Sequence, residues 1–286
     1  MKFRPQKCRV LSVTRSSRND NIWDLFPFQI YYYNLNGIEL DYVDSENDLG
    51  VIVNNSLNFS ENILALVSKA SSRLGLVKRT LHFVKDQKMK RAFYLALVRS
   101  LFEHCSVIWR PSSPGMVQRI EAIQKRAVKW ILSEQYHHYN DYEYLKRLRD
   151  LDLLPMDYKF IYTDLVQFHK IIYNQSVVKL PTYLKPFDSN DRNRFRSNIR
   201  PPTRFGQDIG TEDDSPDLGS MRNRRFDKSS LKCSIDVMAP GFKNSFFFRA
   251  HILWNNLPVD LRNLDICSEF QTKLKHHMWD IVLDPH

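Results

Sequence analysis

The chain has 286 residues, of which 43% are hydrophobic and 13% aromatic, enough apolar material to build a core and to exclude a wholly disordered polypeptide. Its 42 Lys and Arg outnumber its 32 Asp and Glu, giving a net charge of +10 and a pI near 9.4, a balance that favours a polyanionic partner through Coulomb attraction and counterion release. Cys8, Cys105, Cys233 and Cys267 stand far apart, which excludes a zinc knuckle and a disulfide framework and makes a reducing, intracellular compartment (nuclear or cytoplasmic) the expectation.

No run of about 18 apolar residues occurs, so no membrane span is expected. The opening MKFRPQKCRVL has no long apolar stretch and does not read as a signal peptide. KCRVLSVT at 7–14 is rich in apolar and β-branched residues and predicts a strand. FQIYYYNLNGIELDYV at 28–43 carries Asn36-Gly37 between apolar runs, a hairpin turn signal. LGVIV at 49–53 predicts a further strand, closed by Asn54-Asn55. Alone, these pieces would make a small sheet with exposed edges.

From Ser60 the periodicity becomes helical. Ser60 is the expected cap of a helix with Ile63, Val67, Ala70, Leu74, Val77 and Leu81 on its apolar stripe. Asp86 is the expected cap of the next, with Met89, Phe93, Leu97 and Leu101 on one face. A third helix begins near Pro114, its stripe Ile120, Ile123, Ala127 and Trp130 or Ile131. A short helix near 141–149 precedes one starting at Pro155, with Tyr158, Ile161, Leu165, Phe168 and Ile172 inward. Five helices with short connections predict a bundle. Residues 188–232 are polar and charge-segregated and read as a linker or long loop. Order resumes at 244–257, and a last helix is expected from Ser268, with Ser268-x-x-Gln271 as capping box and Phe270, Leu274, Met278 and Ile281 as its stripe. The fold class is therefore α+β, mostly α.

The side chains that bear chemistry give few site signals. His137-His138 and His276-His277 are adjacent pairs without a carboxylate frame, and no metal site is expected. His104-Cys105 pairs an imidazole with a thiol, but neighbours on a helix face apart, so no catalytic dyad is expected. Trp109, Trp130 and Trp254 could stack on bases, but Trp109 and Trp254 end apolar helices, where core packing is the expectation. Arg119, Arg126 and Lys129 share one helix face, and Lys69, Arg73, Lys78 and Arg79 form a second basic group.

Three segments carry a family resemblance: DLGVIVNNSLNF at 48–59, EHCSVIWRPSSPGMVQRIEAIQKRAVKWIL at 103–132, and FFFRAHILWNNLP at 246–258. In order and spacing they resemble the region downstream of the active site in reverse transcriptases of non-LTR retrotransposons, the jockey-like and related lineages. The resemblance covers about residues 3–185 and 240–282. It implies a palm remnant with β-hairpins at 1–59, a helical thumb-like bundle at 60–187, a polar linker at 188–239 and a C-terminal helical segment at 240–286. FRPQKCRVL at 3–11 is similar to the palm motif whose Lys lies near the incoming nucleotide's phosphates; the matching residue is Lys7, which in the intact enzyme could assist the leaving group. Leu49 and Gly50 match the primer grip. Lys69, Arg73, Lys78, Arg79, Arg119, Arg126 and Lys129 become candidates for contact with an RNA/DNA primer–template, sequence-tolerant and salt-sensitive. The polymerase's Mg²⁺-binding aspartates are expected upstream of residue 1, as is the endonuclease. Asp213-Asp214 sits in the polar TEDDSPD stretch rather than on an apolar hairpin, so it is not expected to form the metal site. The chain alone is expected to be catalytically inactive, with no cofactor of its own and Mg²⁺ implied only for the intact polymerase. A rival reading is a non-catalytic element remnant or a domesticated interaction module.

Overall fold

The computed structural model describes residues 8–13, 32–133, 140–186, 231–233, 242 and 244–283. Its first strands are short: Arg9–Leu11 (β1), Asn34–Leu35 (β2), Ile38–Glu39 (β3), Asp41–Val43 (β4), Ser45–Asp48 (β5) and Val51–Asn54 (β6). Asn36 and Gly37 take φ of 53° and 78°, the two left-handed positions of a tight hairpin turn, and β2 folds back on β3 as the sequence predicts. β4 then runs parallel to β1.

β5 and β6 form a second hairpin, and here the expected strand at 49–53 is corrected. Leu49 and Gly50 have φ of 48° and 88°, so they are the turn itself, and the strand begins at Val51. The Gly50 amide donates to Asn47 Oδ1 at 3.0 Å, which closes the turn. A left-handed Leu costs roughly 1–2 kcal/mol, and the Leu49 side chain is 86% exposed.

Helix α1, Ser60–Thr80, buries Ile63, Ala70, Leu74 and Val77, as its spacing predicts. Its cap is not Ser60, which is already helical; Asn58 Oδ1 accepts from the Ser60 amide at 2.9 Å. Asp86 does cap α2, Gln87–Tyr94, accepting from the Lys88 amide. This helix continues through a π-helical turn, Leu95–Arg99, into α3, Ser100–Glu103.

The inward face of this long segment differs from the expected one. Tyr94, Val98 and Phe102 are buried, whereas Met89 and Leu97 are 49% and 41% exposed, and Phe93 and Leu101 are half-buried. The face one residue further along the chain wins because its polar members find partners. Lys90 Nζ donates to Trp130 O and Ser133 Oγ, and Tyr94 OH donates to Gln124 Oε1 at 3.1 Å. A stripe scored by hydrophobicity alone does not see such partners.

After α4, Ser106–Trp109, helix α5 runs Pro114–Leu132 with Pro at its start, α6 is Asp141–Asp150, and α7 is Met156–Ile172 with Pro155 just before it. The α5 stripe is buried as expected, but Glu121 and Gln124 are buried beside it. Leu184–Pro186 (β7) pairs with Leu231–Cys233 (β8). Residues 231–233 fall inside the expected linker, yet Leu231 and Cys233 are buried and the Leu231 backbone exchanges two hydrogen bonds with the Asn255 side chain, so this piece belongs to the fold. Asp213-Asp214, His137-His138 and residues 187–230 lie outside the described residues.

The chain then forms α8, Phe246–Asn255, α9, Val259–Arg262, and α10, Cys267–Leu283. Helix α10 already includes Ser268, so the expected capping box is not made; Gln271 Nε2 points to Cys267 Sγ instead. Phe270, Leu274 and Met278 are buried, while Ile281 is exposed and Trp279 and Val282 take its place. Helices α8 and α10 pack on α7, and one continuous core runs from Val51 to Val282.

Candidate nucleic-acid interface

Lys78 of one basic group meets Arg126 of the other at the seam between α1 and α5. Lys78 Nζ donates to the Arg126 carbonyl at 3.1 Å. Arg126 in turn reaches across to Ser71 Oγ at 3.2 Å. Arg119 lies two turns before Arg126 on α5 and is exposed; Lys129, one turn after it, is half-buried. Residues nearly fifty positions apart thus share one flank. Among the described residues Lys78 makes no salt bridge, and burial, then the neighbouring Arg126 cation, hold its ammonium below its ordinary value of 10.5. Of these two causes, only the like charge of Arg126 would be offset by an added anion.

The group at 69–79 is divided by the fold. Arg73 Nη1 donates to the Leu97 carbonyl at 3.3 Å, so Arg73 and Lys69, one turn earlier, lie on the flank of α1 that faces α2. Lys78 lies on the opposite flank, against α5. Arg79 is exposed, and its carbonyl accepts from His82. Helix geometry separates residues five and nine apart onto different faces.

The Leu49–Gly50 turn is tied to the bundle. His104 Nε2 lies 3.1 Å from the Leu49 carbonyl, and a side chain added at Gly50 would stand 3.7 Å from the same nitrogen. The expectation that His104 and Cys105 face apart is corrected. Cys105 has φ of 51° and leaves the helix, which brings its Sγ within 3.5 Å of His104 Nε2. The carbonyl of Leu49 requires Nε2 to carry the proton, however, and a protonated nitrogen cannot act as base toward the thiol. The pair fixes the turn rather than forming a catalytic dyad.

Trp109 and Trp254 are each 1% exposed. Trp109 meets Phe160 edge to face and donates to the His104 carbonyl, and Trp254 lies among Phe168, His169 and Phe270. Neither can stack on a base. Trp130 is half-buried beneath Lys90 Nζ, 5.6 Å from its ring. Lys7 lies outside the described residues. Among the described residues no three His, Cys, Asp or Glu side chains gather to hold a metal ion. Of the carboxylates near the hairpins, Glu46 pairs with Arg9 and Asp44 accepts from Asn55.

The buried polar groups that the sequence reading passes over are structural. Glu121 accepts from Tyr144 OH, from Gln124 Nε2 at 3.1 Å and from the Met156 amide at 2.7 Å, joining α5, α6 and α7. Asp164 on α7 receives Arg110 Nη1 at 3.0 Å and Arg249 Nε at 2.8 Å. Their sequence signal is a charged or amide residue inside an apolar stripe, as in IEAIQ at 120–124. No helix among the described residues is long and apolar enough to cross a membrane. No family model, curated protein or solved structure matches this chain.

Proposed function

We propose that this chain is the end of the palm, the thumb and the C-terminal region of a non-LTR retrotransposon reverse transcriptase, and that its helical bundle holds a primer–template duplex along the α1/α5 seam. The observation that carries this reading is the meeting of Lys78 and Arg126 across two helices, with Arg119 exposed two turns earlier on the same flank of α5. Backbone phosphates fit that chemistry, because ammonium and guanidinium groups bind phosphate oxygens through charge-assisted hydrogen bonds without reading the bases. In the same reading the Leu49–Gly50 turn, a tight hairpin anchored by His104, is the support for the primer's end. The resemblance in order and spacing at 48–59, 103–132 and 246–258 supports the assignment, and the net charge of +10 agrees with it.

The test is the salt dependence of binding of an RNA·DNA duplex to the full chain, followed by fluorescence anisotropy. Affinity falls steeply with salt, is indifferent to sequence, and is weakened by Lys78→Ala and by Arg126→Ala, each lowering the slope of log affinity against log salt by about one. Binding unaffected by salt, or by both substitutions, contradicts the reading.

A further inference from the structure

The opposite flank of α1 carries a surface of another kind. Met89, Phe93 and Leu97 recur every four residues along α2 and its π-helical turn, with Met89 49% and Leu97 41% exposed. Beside them on α1 stands Arg73, whose flank of that helix also carries Lys69 and Leu76, the latter 57% exposed. The Arg73–Leu97 carbonyl bond at 3.3 Å fixes the two rows side by side, and the short connection at 81–86 makes the helices antiparallel. The result is a half-exposed apolar face with two exposed cations along one edge. The carboxylates of this segment are engaged elsewhere: Asp86 caps the Lys88 amide, and Glu103 bonds Arg99 and Lys159.

We propose that this face docks an amphipathic helix of a partner polypeptide, its apolar side against Leu76, Met89, Phe93 and Leu97 and an acidic residue against Arg73 and Lys69. Spacing supports a helix as the occupant. Apolar side chains four apart on one wall present a ridge pattern that a second helix fills with residues at i, i+4 and i+7. Charge selects its sign, since a cation on the rim of an apolar groove favours a carboxylate on the helix that enters it. A nucleic acid suits this face poorly, because a phosphate backbone would leave Met89 and Leu97 in contact with water. This flank is distinct from the α1/α5 seam, and the two surfaces respond to different substitutions.

The test uses the full chain and two fluorescein-labelled helical peptides. Both carry leucines at i, i+4, i+7 and i+11; one has glutamates beside them and the other has lysines. The glutamate peptide binds in an anisotropy titration, at least about tenfold tighter than the lysine peptide. Met89→Ser with Leu97→Ser weakens it about tenfold or more while circular dichroism and duplex affinity stay unchanged. Arg73→Glu exchanges the preference between the two peptides, a gain of binding that a misfolded variant cannot give. Bound glutamate peptide slows amide exchange at residues 69–76 and 89–97. No binding of the glutamate peptide, equal binding of both, or protection elsewhere overturns the proposal. Displacement of the peptide by an RNA·DNA duplex assigns the face to nucleic acid, and self-association lost in Leu97→Ser assigns it to a second copy; either result also overturns the proposal.

Discussion

Glu121 is 1% exposed, and its three hydrogen bonds are what make a carboxyl tolerable there. Burial pushes its pKa above the ordinary 4.5 even though Tyr144, the Met156 amide, Gln124 and the Arg99 charge all pull it down. A raised carboxyl pKa means that the folded state keeps its proton where the unfolded state has lost it. Its contribution is therefore greatest below 4.5 and declines as pH rises through the raised value. Glu121→Leu leaves the Tyr144 hydroxyl and the Met156 N–H without this acceptor, leaves the Gln124 amide only the Leu154 carbonyl, and should cost roughly 3–5 kcal/mol in urea unfolding. A loss below about 1 kcal/mol would show that the network contributes little.

His169 is a second residue whose protonation bears on stability. Its ring is fully buried, stacks on Phe270 with centroids 4.3 Å apart, and donates from Nε2 to the Leu264 carbonyl at 2.7 Å. Nδ1 has no partner. Burial lowers its pKa from 6.5, against the opposing Leu264 bond and Asp265 charge. A lowered imidazole pKa gives stability that is complete above 6.5 and is lost as pH falls from there through the lowered value. The denaturation midpoint should decline with acid in that window, and His169→Gln should remove that part of the decline; parallel pH profiles for the two proteins would exclude His169 as its source.

At the scale of elements, the helices show how far periodicity reaches. The α1 and α5 stripes are inward as their spacing predicts, because each has one dominant apolar face. The segment from Gln87 to Glu103 has two. Met89, Phe93, Leu97 and Leu101 compete with Tyr94, Val98 and Phe102, and the second set is buried although Lys90 and Arg99 share its face. Lys90 reaches the end of α5, and Arg99 reaches the Leu154 carbonyl. Such long side chains carry apolar stems into a core while their heads find carbonyls. The basic group at 69–79 illustrates the same limit. Four cations within eleven positions read as one patch, but a helix distributes them over two flanks, one facing α5 and one facing α2.

At the scale of the molecule, Asp164 holds the C-terminal part to the bundle. Arg249 on α8 bonds Asp164 at 2.8 and 3.2 Å, the Asn244 carbonyl at 2.6 Å and the Val107 carbonyl. Tyr173 OH donates to the Arg262 carbonyl at 2.7 Å. Trp254 and Phe270 close on Phe168 and His169. Arg249→Met removes one of the two cations on a carboxylate that is 1% exposed. It should cost roughly 3–5 kcal/mol and should speed amide exchange in α8 and α10 ahead of α5. Uniform exchange across the chain would show instead that the segments unfold as one unit.

The sequence by itself determined the mostly helical class, the Asn36-Gly37 hairpin, the helix starts at Pro114 and near Pro155, and most of the inward stripes, because turn chemistry and 3.6-residue periodicity are local properties. Tertiary structure decided which of two apolar faces α2 buries, where the cations of α1 point, that Leu231–Cys233 pairs with Leu184–Pro186, and that His104 meets the turn at Leu49. Each of those outcomes depends on a carbonyl, a carboxylate or a strand edge supplied from a distant part of the chain, and no local pattern encodes the partner that satisfies a buried polar group.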